Sequence, residues 1–476
     1  MCLYSVWVNG EPVKVESARV SAYPLNKIWD GTQRSLDQTE LAYYISAEIC
    51  GASTVEVEFS NVIDSYEIRP HALGIESVRS GNRIIINVER PMQLCLEING
   101  RHGALHIFLD PPSSLPDERN TIYFGPGEHK VDLLWLESDQ TVYIDRGATV
   151  YGVIYAKNAK NVKISGRGVI DSSPYKRGND PSSYKCEIAD ALLSRGFSEI
   201  DMKYYGNIVI NGCENVLIEG VILKDAPLWA LTVRNDSKNV VIDNVKLIGQ
   251  WRYNSDGIDI CTSKNVTVKN CFVRSFDDCI VARGAYLEGE SGNVEDLVVE
   301  NCVLWCDWGK SLEVWCGHKP TLIKNITFKD IYLVHLSAVA INITTWYGSE
   351  NSVIDGVNYE NIYVDLDGKY NSLEIESGAK KNYTSREGFL PRLVSVSVEK
   401  IGRMVDLGSQ QIEKTDDYSQ FDIKYRKINF NNVACIGEGE KLPVVFESIT
   451  GIHKIENVRT SNCDFEVEIY EKEAVQ

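Results

Sequence analysis

From residue 161 onward, one pattern of apolar and polar positions keeps returning. It opens at Asn161-Val162-Lys163-Ile164 and reappears from Asn215, Asn239, Asn265, Asp296, Asn325, Gly356 and Lys427. The order is apolar, polar, apolar, two polar, then apolar again. Starts from Asn215 to Gly356 lie 24 to 31 residues apart. Alternation with period two is a strand pattern and excludes the helical repeats. A unit this short cannot bury its apolar edge alone, but stacked neighbours bury it together. Asn and Gly near the turns supply left-handed corners and side-chain ladders. The pattern predicts an all-β chain whose main body, residues 117–476, is a right-handed parallel β-helix. A leucine-rich repeat would need Leu-x-x-Leu-x-Leu, which is absent. A propeller would need four antiparallel strands in about 40 residues.

The chain before this body reads differently. Short alternating runs at 13–15, 54–59, 83–88 and 95–98 are separated by Gly and Pro turn signals. Strands at such spacing predict a small antiparallel N-terminal β-sandwich over residues 1–112. The run from Asp110 through Pro111, Pro112, Ser113, Ser114 and Leu115 to Pro116 reads as the linker, since paired prolines break helix and ladder alike.

Composition narrows the partners. Hydrophobic residues make up 43% and charged residues 24%, so a folded globular chain is expected and disorder is excluded. With 49 basic and 67 acidic residues the net charge is −18, which repels polyanions and gives no basic stripe for nucleic acid. No apolar run is long enough to cross a membrane. The N-terminus shows no basic stretch followed by an apolar one, so a cytoplasmic location is expected. The 13 cysteines follow no CxxC or Cys/His spacing and read as buried, reduced thiols, with no metal and no cofactor implied. A homo-oligomer is compatible with this composition.

The candidate chemistry sits in the middle coils. Asn254-Ser255-Asp256-Gly257-Ile258-Asp259-Ile260 is followed by Ser275-Phe276-Asp277-Asp278-Cys279-Ile280-Val281. Aligning Ile258 with Cys279 and Ile260 with Val281 sets Asp256 opposite Asp277, 21 residues on. Stacked strands lie about 4.8 Å apart, so three carboxyl groups converge on one side of two adjacent coils. Like charges this close raise one pKa, which costs stability. That cost suits acid–base catalysis, in which a protonated carboxyl donates and an ionised one activates water. A single turn aspartate is ordinarily a corner cap, but a doublet stacked on a third is not explained that way. Regular alternation cannot point Asp277 and Asp278 to the same face. The strands must therefore begin after these residues, or a bulge must re-aim them. Asp259 is kept as a near-site residue.

These paired motifs resemble those of the polygalacturonase-type glycoside hydrolases of family 28, which share a clan with the family 49 dextranases and isopullulanases. Ala226-Pro227-Leu228-Trp229, one coil earlier, is similar to a short motif of that superfamily. The resemblance covers about residues 117–400. It implies a parallel β-helix and inverting, single-displacement hydrolysis. It also implies Asp277 as general acid, with Asp256 and Asp278 positioning and deprotonating the water. Two departures stand out. Where the family carries Gly-His-Gly this chain has Gly309-Lys310-Ser311, followed by Leu312-Glu313-Val314-Trp315. Where it carries Arg-Ile-Lys, which holds a substrate carboxylate, this chain has Ala340-Ile341-Asn342. Losing both cations argues for a neutral sugar, whose hydroxyls Asn342 and Thr344 would suit. Lys310 can serve a substrate charge or pair with an acidic catalytic neighbour.

Aromatic residues flank the motifs at Trp229, Trp251, Tyr253, Trp305, Trp308, Trp315 and Trp346. Sugars present apolar C–H faces that such rings can stack on. Together with Asn254, Asp259, Lys310, Glu313 and Asn342, the set Trp229, Trp251, Tyr253, Trp315 and Trp346 forms the candidate substrate-binding group. Glu374 reads as a solvated strand residue, and His318 and His335 as surface or core residues. The sandwich and the insert at 286–292 are expected to close one end of the groove. The expectation is exo-type hydrolysis of a short neutral oligosaccharide. Alternatives are a polygalacturonase or dextranase-like polysaccharide hydrolase, a β-helix lyase using Ca²⁺ on the acidic trio, and a non-catalytic glycan binder.

Overall fold

The structure, a computed structural model, describes all residues except 1–2, 23–34, 114, 116–118, 176–187, 197–205, 286–289, 318, 347–350, 367–390, 401–402, 407–410, 414–420 and 474–476. A single 26-stranded sheet winds from Thr121–Phe124 to Ile469–Lys472, with each strand pairing in parallel with its counterpart one coil on. This is the right-handed parallel β-helix. Its interior is a stack of apolar columns. One of them runs Leu231, Ile258, Ile280, Leu312, Ile341 and Val394, each in register with the next and all in the core. Each such side chain contributes roughly 1.5–3 kcal/mol on burial.

Asparagines turn the corners. Asn161, Asn215, Asn239 and Asn265 all adopt left-handed backbone, with φ between 51° and 58°. The Nδ2 of each later member donates to Oδ1 of the one before, at 2.8–3.1 Å. Asn tolerates that backbone region better than other side chains, and the ladder satisfies its amide.

The N-terminal region forms two facing five-stranded sheets with a shared apolar core. One strand departs from the antiparallel expectation. Leu105–Asp110 pairs antiparallel with Met92–Ile98 but parallel with Thr39–Glu48. It inserts between them and is buried on both faces, so its apolar run does not alternate. Asp110 is no linker residue. It is fully buried, accepting from Lys246 Nζ and Asn244 Nδ2 at 2.8 Å.

The sandwich lies along the side of the β-helix. Ala18, Val20, Ala42, Tyr44 and Phe108 pack on Ile222, Ile248, Phe272, Val303, Trp305 and Val334 of successive coils. Buried ions cross the same interface. Arg69 lies 3.2 Å from Glu97 and 3.4 Å from Asp365. Apolar packing combined with buried, satisfied ion pairs fixes the two parts rigidly to each other.

Candidate active site

The strands that carry the acidic motifs begin at Ile258 and Ile280, after the aspartates. Asp256, Asp277 and Asp278 therefore sit in corners, free of strand alternation. Asp259 faces outward between the inward Ile258 and Ile260. The register differs from the sequence alignment by one residue. Ile258 pairs with Ile280 and Ile260 with Ala282, and Gly257 N donates to Asp278 O at 2.7 Å. Asp256 thus lies opposite Asp278, not Asp277, and Cys279 falls in the corner. Stacking of inward apolar residues sets this register, because a one-residue slip would turn every side chain over. Gly309 lets the next corner close on the pair. A Cβ there would lie 2.5 Å from Asp277 Oδ1 and 2.6 Å from Asp278 N.

Two cations hold the cluster together. Arg283 Nη2 lies 3.0 Å from Asp256 Oδ2, 2.9 Å from Asp259 Oδ1 and 3.8 Å from Asp278 Oδ2. Lys310 donates its backbone N–H to Asp278 Oδ1 at 2.8 Å. Its Nζ lies 3.6 Å from that oxygen and 3.2 Å from Glu313 Oε1. Asn342 Nδ2 donates to Glu313 Oε1 at 3.0 Å, and Asn254 Nδ2 to Asp277 Oδ2 at 3.3 Å. Thr232, Asp259, Val281, Glu313 and Asn342 form one outward column in register. Beside it run Cys261, Arg283, Trp315 and Thr344.

Five buried carboxyl groups against two cations cannot all ionise. Burial, with the charge of Asp278, pushes Asp277 up to about 8. Burial does the same to Glu313, up to about 8, again helped by Asp278. Burial raises Asp259 to about 7 against the pull of Arg283. Burial and three neighbouring aspartates drive Asp256 well above the usual carboxylate range. Asp278 goes the other way. Burial opposes its charge, but Lys310, Glu313 and Arg283 outweigh it and hold the group low.

Asp277, Glu313 and Asp259 keep their protons in the folded chain up to about 7 or 8 but ionise near pH 4 when unfolded. The folded state binds more protons across that window, so stability falls as pH rises through it. The depressed Asp278 acts in the opposite sense, but only below about pH 4. The melting temperature is expected to drop between about pH 5 and 8.5 by scanning calorimetry. A rise over that range would contradict the assignment.

The structure sorts the sequence candidates. Trp229 and Trp315 reach the site by flanking the Arg283 guanidinium, at 4.3 and 4.6 Å from the ring centroids. Tyr253 meets Trp308 edge-on, and Trp308 stacks on Phe276 behind the corner. Trp251 is buried beside Arg252. Trp305 belongs to the sandwich contact, where its indole donates to Asp307. His335 is buried against Glu97 there. The side chain of Trp346, and residues His318 and Glu374, lie outside the described residues. So do 286–289 of the insert, whose Glu290 pairs with Arg234 and accepts from Lys319. Sequence reasoning missed Arg283. Its signal was an arginine at an outward strand position beside three aspartates, where burial demands carboxylate partners.

The family model of Glycosyl hydrolases family 28 matches residues 136–388, which include every residue of the cluster. The chain belongs to glycosyl hydrolases family 28. It is similar to endopolygalacturonase A of Aspergillus niger, with 29% identity over 150 residues, covering 30% of this chain and 37% of that protein. It is similar to a polygalacturonase of Cochliobolus carbonum, with 27% identity over 257 residues, covering 52% and 63%. The chain thus spans less than two thirds of the length of these relatives. The fold resembles that of Dex49A from Penicillium minioluteum, with TM-score 0.55 at 15% identity, covering 91% of this chain and 88% of that one. Lys310 is bound to Asp278 and Glu313.

Proposed function

We propose that the protein is an inverting glycoside hydrolase acting on short neutral oligosaccharides. The observation that carries this is one corner holding two adjacent carboxyl groups in unlike surroundings: Asp278 accepts from the Lys310 N–H at 2.8 Å with Lys310 and Arg283 holding its carboxyl low, whereas burial pushes Asp277 up to about 8. Asp277 gives its proton to the glycosidic oxygen as the bond from that oxygen to the anomeric carbon breaks. Water attacks that carbon from the opposite face. Asp278, with Asp256 beside it, takes the water's proton. Charges and atoms balance, and the anomeric centre inverts.

A neutral sugar is supported by the engagement of both cations. Arg283 is shared by Asp256 and Asp259, and Lys310 by Asp278 and Glu313. Beside the cluster, Asn342 Oδ1 and Thr344 Oγ1 are buried polar atoms with no protein partner among the described residues, and the stretch 340–345 brings no cation to the site. The same clamping disfavours a lyase, whose base must be a free lysine or arginine. Exo action rests on the expectation that the insert closes one end of the substrate site; its Glu290 pairs with Arg234 and accepts from Lys319. The sandwich packs along the side of successive coils, not across an end of the helix.

The test is a time course on end-labelled neutral oligosaccharides and oligogalacturonides, with proton NMR of the first product. Release of terminal units from a neutral oligomer, with inverted anomeric configuration, is expected. Retention, an unsaturated uronide, or early mid-length fragments would each overturn the corresponding part of the reading.

A further inference from the structure

The mechanism leaves a buried polar chain unused. It starts in the sandwich at Cys95 and His106 and ends at the corner that carries Lys310. His106 is fully buried, and burial plus the charge of Arg274 pushes its pKa far down, so the ring is neutral. Its Nε2 lies 3.2 Å from Arg274 Nη1 and must accept. The ring proton then sits on Nδ1, 3.1 Å from Cys95 Sγ. Arg274 lies 3.9 Å over the Trp305 ring, and its Nε lies 3.4 Å from Asp307 Oδ2. Trp305 Nε1 donates to the other oxygen of Asp307 at 2.8 Å.

Asp307 opens the corner Asp307-Trp308-Gly309-Lys310. Its N–H donates to Ser275 O at 2.9 Å, and Gly309 N–H to Phe276 O at 3.2 Å. These bonds lay the corner against the turn that holds Asp277 and Asp278. Lys310 then presents its N–H to Asp278 Oδ1. Arg274, in the strand Phe272–Ser275 that leads into the turn of the carboxyl pair, and Asp307, which opens the corner leading to the Lys310 donor, therefore tie two successive coils together.

We infer that Arg274, itself held by His106 of the sandwich, and Asp307 form a positioning pair for the Lys310 corner and hence for Asp278. The inference rests on the proposed role of Asp278 as base. A purely structural ion pair would affect melting alone. A positioning pair moves turnover and the acidic limb of the pH profile, because loss of the Lys310 donor raises the pKa of Asp278.

The test uses the double variant Arg274→Met/Asp307→Leu, which removes both charges together and so avoids stranding either one. Circular dichroism and melting confirm its fold. If it does not fold, Arg274→Lys, which keeps the charge but not the fork, takes its place. A fall in kcat of about tenfold to a hundredfold is expected, as for a catalytic group misplaced by less than an ångström or so. KM should stay within about twofold, and the acidic limb of kcat/KM should move to higher pH. A folded variant with unchanged kcat and limb overturns the inference while leaving the role of Asp278 standing. A wild-type protein that hydrolyses no oligosaccharide overturns both.

Discussion

Asp277→Asn is expected to lose hydrolysis of unactivated oligosaccharides by at least about 10²–10⁴-fold in kcat, the range for one general acid or base. The fold should not suffer. Burial already keeps Asp277 protonated, so the amide replaces a neutral group of nearly the same volume. Removing an ionisable group from beside Asp278 also relieves repulsion, so the melting temperature should hold or rise, most at alkaline pH. The chemistry of the loss is specific. An aryl glycoside with an acidic phenol leaves without protonation, so the variant should retain much of its activity on it. Asp278→Asn, which removes the proposed base, should lose activity on both substrates. Near wild-type turnover of the unactivated oligosaccharide by Asp277→Asn would show that the proton comes from elsewhere.

Much of the fold was legible because the β-helix writes itself into a repeat. Inward residues such as Ile258, Ile280 and Leu312 must be apolar, and corners at Asn215, Asn239 and Asn265 require left-handed backbone. The pairing of individual coils was less legible. Coils differ in length at their corners, and Cys279 is apolar enough to pass for a strand residue. Only stacking decides that Ile280, not Cys279, meets Ile258. The sandwich strand Leu105–Asp110 escaped the alternation test because both of its faces are buried. In the site, the aspartates stood out because carboxylates in an apolar setting demand a reason. Arg283 did not stand out, because its partners come from three positions brought together only by coil stacking. Trp305 shows the converse. In sequence it flanks the acidic coils, but its ring lies under the sandwich, against Arg274.

Arg283→Leu is expected to be the most damaging single change in the cluster. The guanidinium is buried between two indoles and touches the carboxylates of Asp256 and Asp259. Replacing it strands those groups in a low-dielectric site. Breaking a buried pair from one side costs about 3–5 kcal/mol. The stranded carboxyls respond by holding their protons more tightly, so the deficit should depend on pH. It should be large at pH 8, where wild-type Asp259 is ionised, and smaller at pH 5, where protonation removes the charge that needed Arg283. Chemical denaturation of both proteins at the two pH values measures this directly. Activity should fall along with stability, since Asp278 loses a cation that helps keep it ionised. The acidic limb of kcat/KM should therefore shift upward. Arg283→Lys should recover the charge but only part of the function, because an ammonium cannot bridge two carboxylates as a planar fork while stacking on both rings. If Arg283→Leu is as stable as wild type at pH 8 and turns over substrate at the same rate, the guanidinium neither compensates the acidic cluster nor sustains its base.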